Sequence, residues 1–145
     1  MILFLDANVL FAAAYSAEGN ARAILLLAPL RGATVASSTF AVEEAARNLR
    51  LKAPAAESGF VSLMGGVTLA GGPDRQTLEQ ASRHGLPEKD VPILAAAIAI
   101  RATLLVTGDR RHFGALFGRK IAGVEILSPA DAVVRLLDRG LQGSR

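Results

Sequence analysis

At 145 residues, 51% apolar and 20% charged, the chain has the size and composition of one domain that can bury a core. It has no cysteine, which excludes disulfides, thiolate zinc sites and iron–sulfur clusters, and its two histidines, His84 and His112, exclude an imidazole-rich metal centre. A net charge of +3 is mild for a nucleic-acid binder, and no run reaches the roughly 20 apolar residues of a membrane helix, so no membrane partner is expected.

The opening apolar run is interrupted by Asp6 and Asn8 before it can form a signal-peptide core, so a cytoplasmic location is expected. Ile2–Leu5 reads as a strand covered on both faces. Asp6 or Asn8 then opens a helix to about Tyr15, and Ala21–Leu30 reads as a second helix. Thr34–Ala36 is a short strand. One of Ser37, Ser38 and Thr39 caps a helix to about Lys52, and Pro54 stops it.

Ala55–Met64 is helical and Val67–Ala70 is the next strand. Asp74 caps a helix to His84, closed by Gly85. Glu88–Arg101 is a helix and Thr103–Val106 a buried strand. A short helix is expected at Phe113–Phe117 and a strand at Val124–Leu127. Ser128, with Pro129 at the first helical position, opens a last helix to about Arg139. Strands alternating with helices predict a three-layer α/β/α sandwich around a mostly parallel sheet of about five strands. The expected layout is one domain over residues 1–140 and a frayed tail at Leu141–Arg145.

The acids carry the chemistry. Asp6 follows the first strand and Asp109 follows Thr103–Val106, so both stand where open α/β sheets place their sites, outside the carboxyl ends of the strands. If those strands are parallel neighbours, the two acids emerge side by side. Asp90 lies in line with Leu94, Ala97 and Arg101, with Ile93 and Ile98 to either side, on the apolar stripe of its helix, so it points toward the core. A buried carboxylate is costly unless paired or bound to a cation, though Asp90 could instead simply cap the helix. Asp6 and Asp109 are open to the same capping reading. Glu43 and Glu44 both point away from the stripe of Val42, Ala45, Ala46 and Leu49, and helix geometry does not choose between them. Carboxylates gathered at one edge repel unless a divalent cation neutralises them, and oxygen-only ligands suit Mg²⁺ or Mn²⁺ rather than zinc.

Four stretches in order, LDANVL at Leu5–Leu10, SSTFAVEEAARNL at Ser37–Leu49, EKDVPILAAAIA at Glu88–Ala99 and TGDRRHF at Thr107–Phe113, resemble the acidic motifs of PIN-domain ribonucleases. The resemblance extends to toxins of type II toxin–antitoxin systems of the virulence-associated protein C type. It implies an α/β/α nuclease using Mg²⁺ or Mn²⁺, with Asp6, Glu44, Asp90 and Asp109 as catalytic and metal-holding acids. Glu44 is preferred to Glu43 because the family acid stands five residues before a leucine, here Leu49. Asn8 and Thr107 match polar positions that support the acids. The implied substrate is RNA, the implied partner a cognate antitoxin, and family members are often homodimers.

Arg47, Arg110 and Arg111 are candidates to hold flanking RNA phosphates, which would make binding fall with salt. The low aromatic content argues against a base-stacking platform. The alternative is a non-catalytic metal- or RNA-binding module that acts through a protein partner. A phosphoacceptor domain or small phosphatase also gathers acids at strand ends, but it needs a lysine near the site, and none follows a strand end here.

Overall fold

The computed structural model describes residues 1–143. The strands are β1 (Ile2–Leu5), β2 (Thr34–Ser38), β3 (Thr68–Ala70), β4 (Leu104–Val106), β5 (Lys120–Ile121) and β6 (Val124–Leu127). The helices are α1 (Ala7–Tyr15), α2 (Asn20–Leu30), α3 (Thr39–Lys52), α4 (Glu57–Met64), α5 (Arg75–Ala81), α6 (Val91–Ala99), α7 (Arg110–Phe113) and α8 (Pro129–Gly143). They build a three-layer sandwich around a six-stranded sheet of order β3-β2-β1-β4-β6-β5, parallel except for the β5–β6 hairpin.

The central strands explain the apolar runs. Leu3, Phe4 and Leu5 of β1 and all of β4 are fully buried, as strands covered on both faces must be. Helix α6 is buried from Ile93 to Ala97, and its alanines let it pack closely. On β6, between β4 and the edge strand β5, Glu125 receives two hydrogen bonds from the Arg135 guanidinium of α8, each at 2.9 Å. No described helix is long and apolar enough to cross a membrane.

Several elements differ in detail from the sequence expectations. The strand not expected from the sequence, β5 (Lys120–Ile121), has only two residues and no periodic signal. It exists because Ala122 and Gly123, both at positive φ, turn the chain back onto β6. The helix expected over Glu88–Arg101 is a 3₁₀ turn at Glu88–Asp90 followed by α6. The turn expected at Phe113–Phe117 begins earlier, at Arg110, because the Asp109 carboxylate accepts the His112 backbone N–H at 3.0 Å. Of the tail expected at Leu141–Arg145, Ser144 and Arg145 lie outside the described residues, and the residues before them continue α8.

β1 lies at the point where the strand order reverses, with β2 on one side and β4 on the other. The crevice between the carboxyl ends of β1 and β4 is therefore the natural site of the fold.

Candidate metal centre

The register of β1 against β4 pairs Leu5 with Val106, so Asp6 and Thr107 are the first residues beyond the two strand ends. Thr107 stands opposite Asp6, and Asp109 follows two residues on. The buried Asp6 carboxylate accepts the Ala7 N–H at 2.7 Å, the Thr107 hydroxyl at 2.9 Å and the Asn8 amide at 3.1 Å. The Thr107 hydroxyl also accepts the Asp109 N–H at 3.1 Å and the Asn8 amide at 3.2 Å, which uses its full bonding capacity. The Asn8 side-chain oxygen accepts the Gly108 N–H at 2.7 Å. A Cβ on residue 108 would approach that oxygen to 3.3 Å, so glycine permits the close fit. From the β2 side, the buried Ser37 hydroxyl donates to the Leu5 carbonyl at 2.7 Å and ties that strand end in place.

Asp90 reaches the crevice from the start of α6. It is buried, yet its side chain makes no capping hydrogen bond, so capping does not account for it. Its Oδ2 instead lies 2.9 Å from Nδ1 of His112. The same Nδ1 lies 2.9 Å from Oδ2 of Asp109. Asp6 and Asp109, in contrast, do accept backbone N–H groups at their helix starts. In both, the capping role coexists with a place in the acid group.

Glu44 of α3 is half-buried and Glu43 beside it is exposed. The electrostatics link the acids into one group. Burial pushes the Asp6 carboxyl above its ordinary range, against the hydrogen bonds from Thr107 and Ala7, and the charges of Asp90 and Glu44 push it further. Burial also raises the Asp90 carboxyl, opposed by His112 and Lys89 and reinforced by Asp109. Asp6 thus feels Glu44 and Asp90, and Asp90 feels Asp109. A cluster of acids held at raised affinity for protons is also poised for a cation.

The donor set fits a divalent metal. One carboxylate oxygen each from Asp90 and Asp109 and a ring nitrogen of His112 lie within 4.8 Å of one another. Two of these atoms, Asp90 Oδ2 and His112 Nδ1, are buried without a hydrogen-bond partner although they lie at ion-pair distance. A buried polar atom with no aligned partner calls for an ion or water. His112 was not among the acids expected from the sequence. The signal available was its position three residues after Asp109, one helical turn on, which places both on the same side of α7. A metal held by these three groups would have a mixed rather than an oxygen-only donor set.

The expected phosphate-binding arginines are all exposed. Arg110 and Arg111 open α7 directly after Asp109, and the Arg110 guanidinium lies over the Phe117 ring at 5.4 Å. Arg47 stands one turn beyond Glu44 on α3. An open groove of about 360 Å³ lies beside the acids, lined by Asn8, Val9, Ala12, Gly108, Asp109 and Pro129.

Comparison with solved structures shows that this three-layer sandwich, with its acids at the reversal point of the sheet, is PIN-like. The chain is similar to a chain in the crystal structure of VapBC2, a toxin–antitoxin complex from Rickettsia felis, bound to a DNA fragment from their promoter. The two share 18% identity with a TM-score of 0.63 over 88% of this chain and 98% of that one. At this identity the likeness defines the fold, which is PIN/VapC-like. No protein-family model and no curated protein sequence matches the chain.

Proposed function

We propose that this protein is a metal-dependent endoribonuclease acting in the cytoplasm as the toxin of a toxin–antitoxin pair. The observation that carries the reading is a chain of electrostatically linked acids at the crevice of a PIN-like fold: Asp6 feels Asp90 and Glu44, and Asp90 feels Asp109. The VapBC2 neighbour supports both the nuclease class and an antitoxin partner.

In this reading Asp6, Glu44, Asp90 and Asp109 hold Mg²⁺ or Mn²⁺. When bound, such a cation lowers the pKa of a water and stabilises charge on the scissile phosphate and the leaving oxygen. The chain's own groups do the positioning. Thr107 and Asn8 hold the Asp6 carboxylate in one orientation, with both of the amide hydrogens and the hydroxyl engaged. The cap at α7 fixes Asp109 through Oδ1 and leaves Oδ2 facing the crevice. Arg110, Arg111 and Arg47 draw the flanking RNA phosphates toward the acids, which by themselves would repel the strand. The groove beside Asp109 receives the RNA.

The partner face is read from exposed apolar side chains. Leu26 and Leu30 of α2 and Val134 and Leu137 of α8 are exposed on two helices that pack together. This supports a protein partner there, the antitoxin or a second copy of the chain. A basic side chain of the antitoxin entering the acidic crevice would block the nuclease.

The deciding experiment is cleavage of RNA in Mn²⁺ or Mg²⁺ buffer by the wild type and by Asp90→Asn. Cleavage by the wild type and none by a folded variant supports the reading. A fully active variant overturns it, and RNA binding without cleavage in either buffer replaces it with the non-catalytic module.

A further inference from the structure

His112 stands outside the acid quartet, yet its Nδ1 is the atom on which Asp90 and Asp109 converge. It lies 2.9 Å from a carboxylate oxygen of each. An ordinary ion pair is a poor account of this arrangement. A ring N–H donates in the plane of the ring along one direction, so an imidazolium serving these carboxylates would align with at least one. Instead neither the buried Nδ1 nor the buried Asp90 Oδ2 makes an aligned hydrogen bond, although the two atoms lie 2.9 Å apart. The two carboxylates also come from different elements, the start of α6 and the start of α7, and no cap accounts for the Asp90 side chain.

A cation satisfies all three atoms at once. Around a metal with ligand bonds of about 2.0–2.2 Å, neighbouring ligands at right angles lie about 3 Å apart. That is the spacing from Nδ1 to each carboxylate oxygen. The local fold holds the histidine there. The Asp109 carboxylate caps α7 by accepting the His112 backbone N–H through Oδ1, which fixes the Asp109 side chain against the His112 backbone and leaves Oδ2 to face Nδ1.

We propose that His112 Nδ1 is a direct ligand of the cation held between Asp90 and Asp109. The proposal rests on the metal-dependent reading above and gives that position a mixed nitrogen–oxygen donor set. An imidazole strengthens binding of later first-row cations more than of Mg²⁺, whose preference is for oxygen. The site therefore selects Mn²⁺, and Co²⁺ still more, over Mg²⁺.

The test uses the full chain loaded with Mn²⁺ and read by pulsed electron paramagnetic resonance. The wild type should show coupling to a nitrogen directly bound to Mn²⁺. Labelling only the histidines with ¹⁵N should change that signal, and this needs no substitution that might disturb folding. His84 and His112 are the only two histidines, so His84→Ala should keep the coupling and His112→Ala should lose it. In calorimetric titrations His112→Ala should weaken Mn²⁺ binding by at least about tenfold and Mg²⁺ binding by less. Mn²⁺ bound with no nitrogen coupling, or with coupling that persists in His112→Ala, overturns the histidine ligand and leaves the acid site standing. If the wild type binds no Mn²⁺ at all, both the ligand and the metal-dependent reading fall.

Discussion

Acids in two regions of the sheet have opposite surroundings. Glu125 on β6 meets the Arg135 guanidinium in a two-point contact, and this holds its carboxyl below the ordinary range. Asp6 and Asp90, at the crevice of β1 and β4, have carboxyls raised above it. No Lys or Arg ion pair reaches them among the described residues, and the nearest cationic candidate is an imidazole. The first arrangement fastens a helix to a strand. The second concentrates negative charge in a buried place, which weakens the fold unless something positive arrives.

The largest effect that would test this contrast is on activity. Asp90→Asn should lower RNA cleavage by more than about 100-fold, beyond the loss typical of removing a supporting partner of a metal ligand. Circular dichroism should show it folded. Glu125→Gln should cleave like the wild type in the same assay.

Mn²⁺ should stabilise the wild type by mass action, by about 2.7 kcal/mol at a hundredfold excess over its dissociation constant. Thermal melting should show much less gain in Asp90→Asn and Asp109→Asn, and an undiminished gain in Glu125→Gln. Equal gains in all four proteins would erase the contrast.

Thr107→Val keeps the shape of the side chain and removes a hydroxyl from the buried Asp6 carboxylate. Denaturant unfolding of the metal-free protein should show a loss of about 1–3 kcal/mol, the cost of a buried acceptor left short of a donor. No loss would mean that the Thr107 contact does not hold Asp6.

The smallest effect belongs to the paired acid. Glu125→Gln should cost about 1 kcal/mol or less, because the pair is partly exposed to solvent. The two regions should also respond to pH with opposite sign. The Glu125 carboxyl is lowered in the fold, so its contribution is present above the ordinary carboxylate range and lost as pH falls through the lowered value. Asp6 and Asp90 are raised, so their contribution is present in acid and lost as pH rises through the raised values. In metal-free protein, Asp90→Asn should therefore flatten the fall in melting temperature from acid to neutral pH, and Glu125→Gln should not.

Much of this was legible in the chain itself. Short apolar runs such as Leu104–Val106, ended by turn residues, read as strands covered on both faces, and their alternation with helices left few topologies other than a parallel sandwich. The placement of Asp6 and Asp109 beyond strand ends, and of Asp90 on a buried stripe, follows from periodicity alone. The two-residue strand Lys120–Ile121 was not legible, since so short a segment has no period and exists only through its pairing with β6.

Local sequence could not decide what each acid does, because a cap and a metal-site carboxylate look the same along the chain. The tertiary structure shows where each carboxylate lies and which backbone groups it accepts. Asp90 turned out to cap nothing, whereas Asp6 and Asp109 cap and face the crevice at once. Packing brought Glu44 of α3 into the electrostatic reach of Asp6, which helix geometry had left open between neighbouring glutamates. It also brought His112 between two carboxylates 19 residues apart in the chain, Asp90 and Asp109. Periodicity reports which face of an element is apolar. Which polar groups meet across elements is set by how those elements pack, and that is a property of the tertiary structure alone.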